Sequence, residues 1–182
     1  KKATFFMTQR RIYQDIYPYH LTFNTKEGVP FFENVEKAEL LYITIMNVCE
    51  KKKYVVVAFS ILPNHIHMMI QSGIQKYTPQ LSVAAVGHNH QPSAGTNVTS
   101  AGTETRAGGC TISDLIYSIK SYYCYQLRKM YSINYSPWQK RFNFRIVDSE
   151  RRYLNTLNYI INNHKKHGLP EKYGKAPYVY YG

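Results

Sequence analysis

Two histidines separated by a single residue, His65 and His67, stand in an otherwise apolar stretch, ILPNHIHMMIQ (61–71). Side chains alternate between the two faces of a strand, so both imidazoles project on the same side, with Cα atoms roughly 6.6 Å apart. Two neighbouring imidazoles can hold one divalent ion, and imidazole suits Mn, Fe, Ni, Cu or Zn. Two histidines on a solvated strand face would give the same pattern, so the spacing alone leaves both interpretations open.

A tyrosine in the last predicted helix, DSERRYLNTLNYIINNHKKHG (148–168), is the second group that could do chemistry. At about 100° per residue, Tyr159 falls roughly opposite the apolar stripe of this helix and meets Asn163 one turn later. A phenol beside a metal is a suitable nucleophile, and an amide oxygen is a suitable third ligand. An exposed Tyr–Asn pair on a polar helix face is the alternative. The apolar stripe consists of Tyr153, Leu154, Leu157, Ile160 and Ile161.

A second His-x-His pair, His88 and His90, lies in a segment (82–109) that is rich in Gly, Ala, Ser and Thr and has almost no large apolar side chains. Such a segment cannot build a core. We therefore expect a flexible insertion there and assign this pair no metal.

The chain carries a net charge of +12, and no Asp or Glu occurs between residues 115 and 147. Basic groups neutralise phosphates and aromatic rings stack on unpaired bases, so this stretch favours a single-stranded nucleic-acid partner. A basic surface without such a partner is the alternative. Tyr117, Tyr122 and Tyr125 also lie in this stretch. The nucleic-acid contacts that we predict are Lys120, Arg128, Lys129, Lys140, Arg141, Arg145, Arg152, Tyr123 and Trp138.

The cysteines and the apolar segments indicate where in the cell the protein is expected to act. Three cysteines without metal-ligand spacing favour a reducing cytoplasm over a disulfide scaffold. No apolar run approaches the roughly 20 residues of a membrane span. The start of the sequence, KKATFFMTQRRIYQDIY, lacks the apolar segment of a signal peptide. We expect a cytoplasmic protein that does not bind membranes.

The periodicity of apolar residues predicts the element order β-α-β-β-α-β-α. This order is that of an α+β, ferredoxin-like (split βαβ) antiparallel sheet with helices on one face and a C-terminal helix that bears the tyrosine. We predict one domain over residues 1–182. Residues 17–32 are predicted to form a strand that ends in a Gly-containing turn. The other predicted strands are 54–62, 65–71 and 142–147, and the predicted helices are 34–53, 111–131 and 148–168. Their expected N-caps are Asn34, Thr111 or Ser113, and Asp148 or Ser149.

Three segments carry a resemblance to a known family. ILPNHIHMMIQ resembles the His-hydrophobic-His (HUH) strand of single-tyrosine transposases, in particular the REP-associated kind. YHLTFNT (19–25) is similar to their first strand, and WQKRFNFRIVDSERRYLNTLNYIINNHKKHGL (138–169) is similar to their closing strand and tyrosine helix. The motifs occur in the family's order.

The resemblance implies an enzyme that cuts single-stranded DNA beside a hairpin through a 5′-phosphotyrosine and can rejoin strands. Tyr159 would be the nucleophile, and His65, His67 and Asn163 would hold Mg²⁺ or Mn²⁺. The reaction would need no ATP. The protein would be prokaryotic and associated with the nucleoid, as a homodimer or a monomer.

Two departures from the family and two other functions stay open. Many relatives have Asn-Pro where this chain has Asn163 and His164, which makes His164 or His167 a further ligand or phosphate contact. Many also carry a histidine where this chain has 143–145, NFR. A non-catalytic protein that binds hairpin DNA or RNA on the same fold is the alternative function. An initiator- or relaxase-type nickase agrees less well, because those enzymes usually place a lysine in the tyrosine helix and often append a helicase.

Overall fold

The computed structural model describes residues 16–73 and 110–182. The predicted insertion at 82–109, with its histidine pair, lies outside these residues.

The described chain forms one five-stranded antiparallel sheet with strand order β4-β1-β3-β2-β5. β3 lies between β1 and β2, which are joined through α1, so the split βαβ arrangement and the α+β, ferredoxin-like fold are confirmed. No helix in the described ranges is both long and apolar enough to cross a membrane. The strands are β1 (Tyr19–Asn24), β2 (Tyr54–Leu62), β3 (His65–Ser72), β4 (Asn143–Ile146) and β5 (Val179–Tyr181), and the helices are α1 (Val35–Lys51), α2 (Ile112–Tyr131), α3 (Glu150–Ile161) and α4 (Asn163–Lys166).

Side-chain caps begin the three long helices. The side chain of Asn34 accepts a hydrogen bond from the backbone N–H of Lys37 at the start of α1. Thr111 and Asp114 form a reciprocal capping box at the start of α2. Ser149 caps α3. The open choices of N-cap are therefore resolved in favour of Thr111 and Ser149.

The sheet separates two apolar layers of different size. α1 and α2 pack on one face, over a large core that includes Leu21, Phe23 and Ile66. α3 packs on the other face, over a small cluster that includes Met69 and Ile160. Because side chains alternate along β3, His65 and His67 lie on the face of α3.

Two features of the C-terminal part differ from the prediction. The helix predicted over 148–168 is divided, since α3 ends at Ile161 and α4 begins at Asn163. The last residues add a fifth strand, in which Val179–Tyr181 pairs with β2. A strand of three residues has no periodicity that a sequence pattern can detect.

Candidate active site

The tyrosine of α3 contacts a histidine of β3. Tyr159 Oη lies 3.3 Å from His67 Nε2, across 92 residues of sequence. The two rings meet edge to face, with centroids 5.1 Å apart. His67 is only 8% exposed, so this contact lies at the bottom of the site rather than on its rim.

The other nitrogen of His67 faces β1. Its Nδ1 lies 3.0 Å from Thr22 Oγ1 and 3.2 Å from His20 Nε2. A proton on Nδ1 lets the ring donate towards β1 and accept the Tyr159 hydroxyl hydrogen at Nε2. This single tautomer satisfies both ends of the imidazole.

His65 lies beside His67, with ring centroids 5.0 Å apart. Its Nδ1 donates to Asn64 Oδ1 at 2.7 Å, which leaves the Nε2 lone pair free. A third imidazole, that of His167, stands 5.5 Å from the His65 ring. Within residues 16–73 and 110–182, no three His, Cys, Asp or Glu side chains form a group that could hold a metal ion.

The histidines of the site are held neutral. Burial, and then the charges of the neighbouring imidazoles and Lys166, lower the pKa of His67 to about 3. Burial and then the charge of Arg145 lower the pKa of His20 to about 4. Burial also lowers the pKa of His65. At neutral pH each ring therefore keeps a lone pair, which is the form that binds metals.

Asn163 is fully buried, and both atoms of its side-chain amide lack a hydrogen-bond partner among the described residues. The predicted pairing of its side chain with Tyr159 therefore does not occur as a hydrogen bond in this structure. His164 beside it is 7% exposed, and a Cβ on Gly174 would come within 2.5 Å of the His164 ring. Such close packing holds α4 in place and keeps both side chains out of water.

The periodicity predicts that Tyr159 lies opposite the apolar face of its helix. In the structure it does not. It is half-buried and packs at the edge of the small cluster around Ile160. Leu154, which the prediction placed in the buried stripe, is 45% exposed. The sheet covers only a narrow strip of α3, and a helical wheel does not show which strip is covered.

A cleft of about 700 Å³ opens beside Tyr159. α3 packs mainly over β2 and β3, so the same sheet face remains open over β1 and β4. The residues that line the cleft are His20, Thr22, His67, Asn143, Phe144, Arg145, Asn155, Thr156 and Tyr159.

Residues 14–89, which include β1, β2 and β3, match the family described as IS200-like transposases. The match covers less than half of the chain, so it shows a similarity to this family over that part. The match includes His65 and His67, and it ends before the tyrosine helix.

Two solved structures are similar to this chain. One is a REP-associated tyrosine transposase bound to a REP hairpin, with 17% identity, a TM-score of 0.61, and coverage of 93% of this chain and 79% of that one. The other is a putative transposase from Deinococcus radiodurans R1, with 18% identity, a TM-score of 0.47, and coverage of 87% of this chain and 98% of that one. No curated protein matches the chain. The similarity to the REP-associated transposase shows that the two proteins share a fold.

Two of the predicted nucleic-acid contacts belong to the core of the protein. Tyr123 is fully buried and donates its hydroxyl to Lys37 O at 2.9 Å. Trp138 is 6% exposed and packs against Phe23 and Phe32. Neither ring can stack on a base, so the prediction is wrong for both.

The basic residues predicted to bind nucleic acid differ in whether their side chains already have a partner within the protein. Lys120 donates to Gln139 O at 2.7 Å, and burial lowers its pKa to about 8. Arg152 is held 2.6 Å from Asp148. The remaining five are exposed, namely Arg128, Lys129, Lys140, Arg141 and Arg145. Of these, Arg145 alone lines the cleft beside Tyr159.

Three groups were not among the site residues predicted from the sequence. His20 and Thr22 contact His67, and the alternation of polar and apolar residues in YHLTFN was the available signal, since it places both on one face. Tyr122 and Tyr125 form a stacked, exposed pair on α2, with ring centroids 6.2 Å apart. Asn143 lines the cleft, and it gives no signal in sequence.

Proposed function

We propose that this chain is a metal-dependent endonuclease and strand transferase that acts on single-stranded DNA next to hairpins. The observation that carries the proposal is the contact of Tyr159 Oη with His67 Nε2 at 3.3 Å, beside a second neutral histidine. A phenol, two neutral imidazoles and an open cleft are the parts that a tyrosine-linked phosphoryl exchange requires.

In the proposed reaction, Tyr159 Oη releases its proton to solvent and attacks the scissile phosphorus. The new bond joins Oη to phosphorus, and the bond from phosphorus to the 3′ oxygen breaks. The 3′ oxygen takes up a proton and leaves as a 3′-OH, while the 5′ phosphate stays on the tyrosine. A 3′-OH can later attack the phosphotyrosine and rejoin strands. One phosphodiester replaces another, so no nucleotide triphosphate is consumed.

His65 and His67 would hold the Mg²⁺ or Mn²⁺ ion through their Nε2 atoms. Both rings are neutral, and His65 Nε2 is left free by the bond of Nδ1 to Asn64. Asn163 is the proposed third ligand, because its buried amide has no other partner among the described residues. Bound there, the ion would polarise the phosphate and offset the charge of the transition state.

The DNA partner follows from charge and from the similar structure. That REP-associated transposase was solved with a REP hairpin. In this chain Arg128 and Lys129 lie on α2, on the sheet face opposite Tyr159. We propose that these cations bind the phosphates of the hairpin and that a single strand reaches the tyrosine on the other face. The chain would act in the cytoplasm of a prokaryote, as a monomer or a homodimer.

The first test is a search for a covalent protein–DNA adduct on a denaturing gel. Labelled hairpins with single-stranded flanks, taken from the source genome, are mixed with the protein and Mn²⁺ or EDTA. We expect an adduct with wild type that is lost with EDTA and with Tyr159→Phe. Tyr122→Phe, on the opposite face, is the matched control and should form the adduct.

A non-catalytic hairpin-binding protein is the second candidate. It is favoured by the lack of a hydrogen bond between Asn163 and Tyr159 and by the small number of candidate ligands in the described residues. Tight hairpin binding without any adduct in Mn²⁺, equal for wild type and Tyr159→Phe, would establish this candidate and overturn the enzyme.

A further inference from the structure

The cleft beside Tyr159 has a polar, cationic lining. Arg145 on β4 is exposed and forms no ion pair within residues 16–73 and 110–182. Its neighbour across the strand pair is His20. Among the described residues that line the cleft there is no Asp or Glu. A phosphate placed there would meet one unneutralised guanidinium and no opposing charge.

The walls of the cleft also carry hydrogen-bonding groups that can read a base. Asn143 lies on β4, and Asn155 and Thr156 lie on α3. An amide offers a donor and an acceptor together, which matches the edge of an unpaired base. These groups belong to two different elements that line the cleft, a strand and a helix.

The size and position of the cleft indicate which part of the DNA it can hold. Its volume of about 700 Å³ lies within the range of about 300–1,000 Å³ for small-molecule sites. That volume suits one or two nucleotides, whereas a hairpin stem needs an open surface. Tyr159 lines the cleft, so a nucleotide inside it is adjacent to the phosphate under attack.

We propose that this cleft binds the unpaired nucleotide that adjoins the scissile phosphate, with Arg145 on its backbone phosphate. Asn143, Asn155 and Thr156 contact its base and give the cut its sequence preference. The inference rests on the proposed function, because it takes Tyr159 as the nucleophile. In this proposal the recognition of the flank depends on Arg145 and Asn155, whereas the cations on α2 bind the hairpin.

Equilibrium binding tests this without any need for cleavage. The probe is a pool of DNA hairpins with a randomised single-stranded flank, compared with the same hairpins lacking the flank. We expect Arg145→Gln to weaken binding of flanked hairpins about tenfold and to leave bare hairpins unaffected. Arg128→Gln, the matched loss of one charge on the opposite face, should weaken both probes equally. Asn155→Ala should relax the base preference at one flank position by at least about fivefold.

The outcomes separate this inference from the proposed function. Equal losses on both probes for Arg145→Gln and Arg128→Gln, or an unchanged flank preference in Asn155→Ala, overturn the nucleotide site. A flank-dependent loss in Arg145→Gln with no adduct in wild type supports nucleotide binding in the cleft, but it overturns the enzyme and with it the place of that nucleotide beside a scissile phosphate. Arg145→Lys, which keeps the charge, should recover most of the affinity, and matching thermal unfolding curves show that all variants are folded.

Discussion

His67 touches more of the site than any other side chain described. It contacts Tyr159 at one nitrogen and Thr22 with His20 at the other, and it lies edge to face with His65. Its environment decides which nitrogen carries the hydrogen, and that choice decides whether Nε2 faces the phenol as an acceptor. The partners on β1 therefore influence the chemistry at Tyr159 although they do not touch the phenol through a hydrogen bond.

Replacing Thr22 should show this influence. We expect Thr22→Val, which keeps the shape and removes the hydroxyl, to weaken Mn²⁺ binding by about tenfold, since partners of metal-binding histidines have effects of this size. Thr22→Ser keeps the hydroxyl and should retain the affinity. The measurements are Mn²⁺ titration by electron paramagnetic resonance and ¹⁵N chemical shifts of the His67 ring in metal-free protein. An unchanged tautomer together with an unchanged affinity in Thr22→Val would contradict the role.

At the scale of elements, α3 and β3 bring the site together, and α2 supports the sheet from the other side. α2 buries Leu115, Ile119 and Leu127 in the large core, while its opposite side exposes Tyr117 and Tyr125. The first turn of α2 follows a part of the chain that the structure does not describe. The capping box at Thr111 and Asp114 is therefore the feature that defines where the helix begins.

The capping box predicts a stability effect. Thr111→Ala removes the oxygen that accepts the Asp114 backbone N–H at 3.2 Å. We expect the free energy of unfolding to fall by about 1 kcal/mol, a typical cost for the loss of an N-cap. Urea denaturation followed by circular dichroism measures this change. Thr111→Ser preserves the cap and should unfold like wild type; a loss as large as that of alanine would show that the methyl group, not the cap, is responsible.

At the scale of the molecule, an aromatic cluster joins the loop after α2 to the rest of the fold. The Trp138 ring lies 5.4 Å, centroid to centroid, from each of Phe23, Phe32 and Tyr123. Trp138 also forms a bridge to Thr25 at the end of β1. These contacts place the site strands β1 and β4 relative to the two packed helices, so Trp138 supports the site through the core and not through DNA.

Truncation of this side chain tests that role. Trp138→Ala should lower the free energy of unfolding by about 3–5 kcal/mol, the usual cost of removing a large buried ring. Trp138→Phe should retain most of the stability, because the indole N–H has no partner among the described residues. Chemical denaturation and hairpin binding are measured on the same samples. Normal stability of Trp138→Ala with lost binding would restore the stacking role that the sequence favoured.

Local sequence patterns were sufficient to predict most of the helices and strands and to place the two histidines of the site. Strand alternation places His65 and His67 on one face, and cap residues locate the starts of the helices, because both signals depend only on neighbouring residues. The strand bounds of β2 and the start of α1 agree with the prediction. The order of the elements also determines the ferredoxin-like sheet, since short connections leave few other topologies.

Tertiary structure alone decided which of the 18 tyrosines face solvent and which groups meet His67. Tyrosine is apolar along its ring and polar at its tip, so periodicity does not distinguish the buried Tyr123 from the exposed Tyr122 beside it. The 92 residues between His67 and Tyr159 contain no local signal for their contact. That contact exists because α3 lies across β3, and the crossing is set by the packing of whole elements.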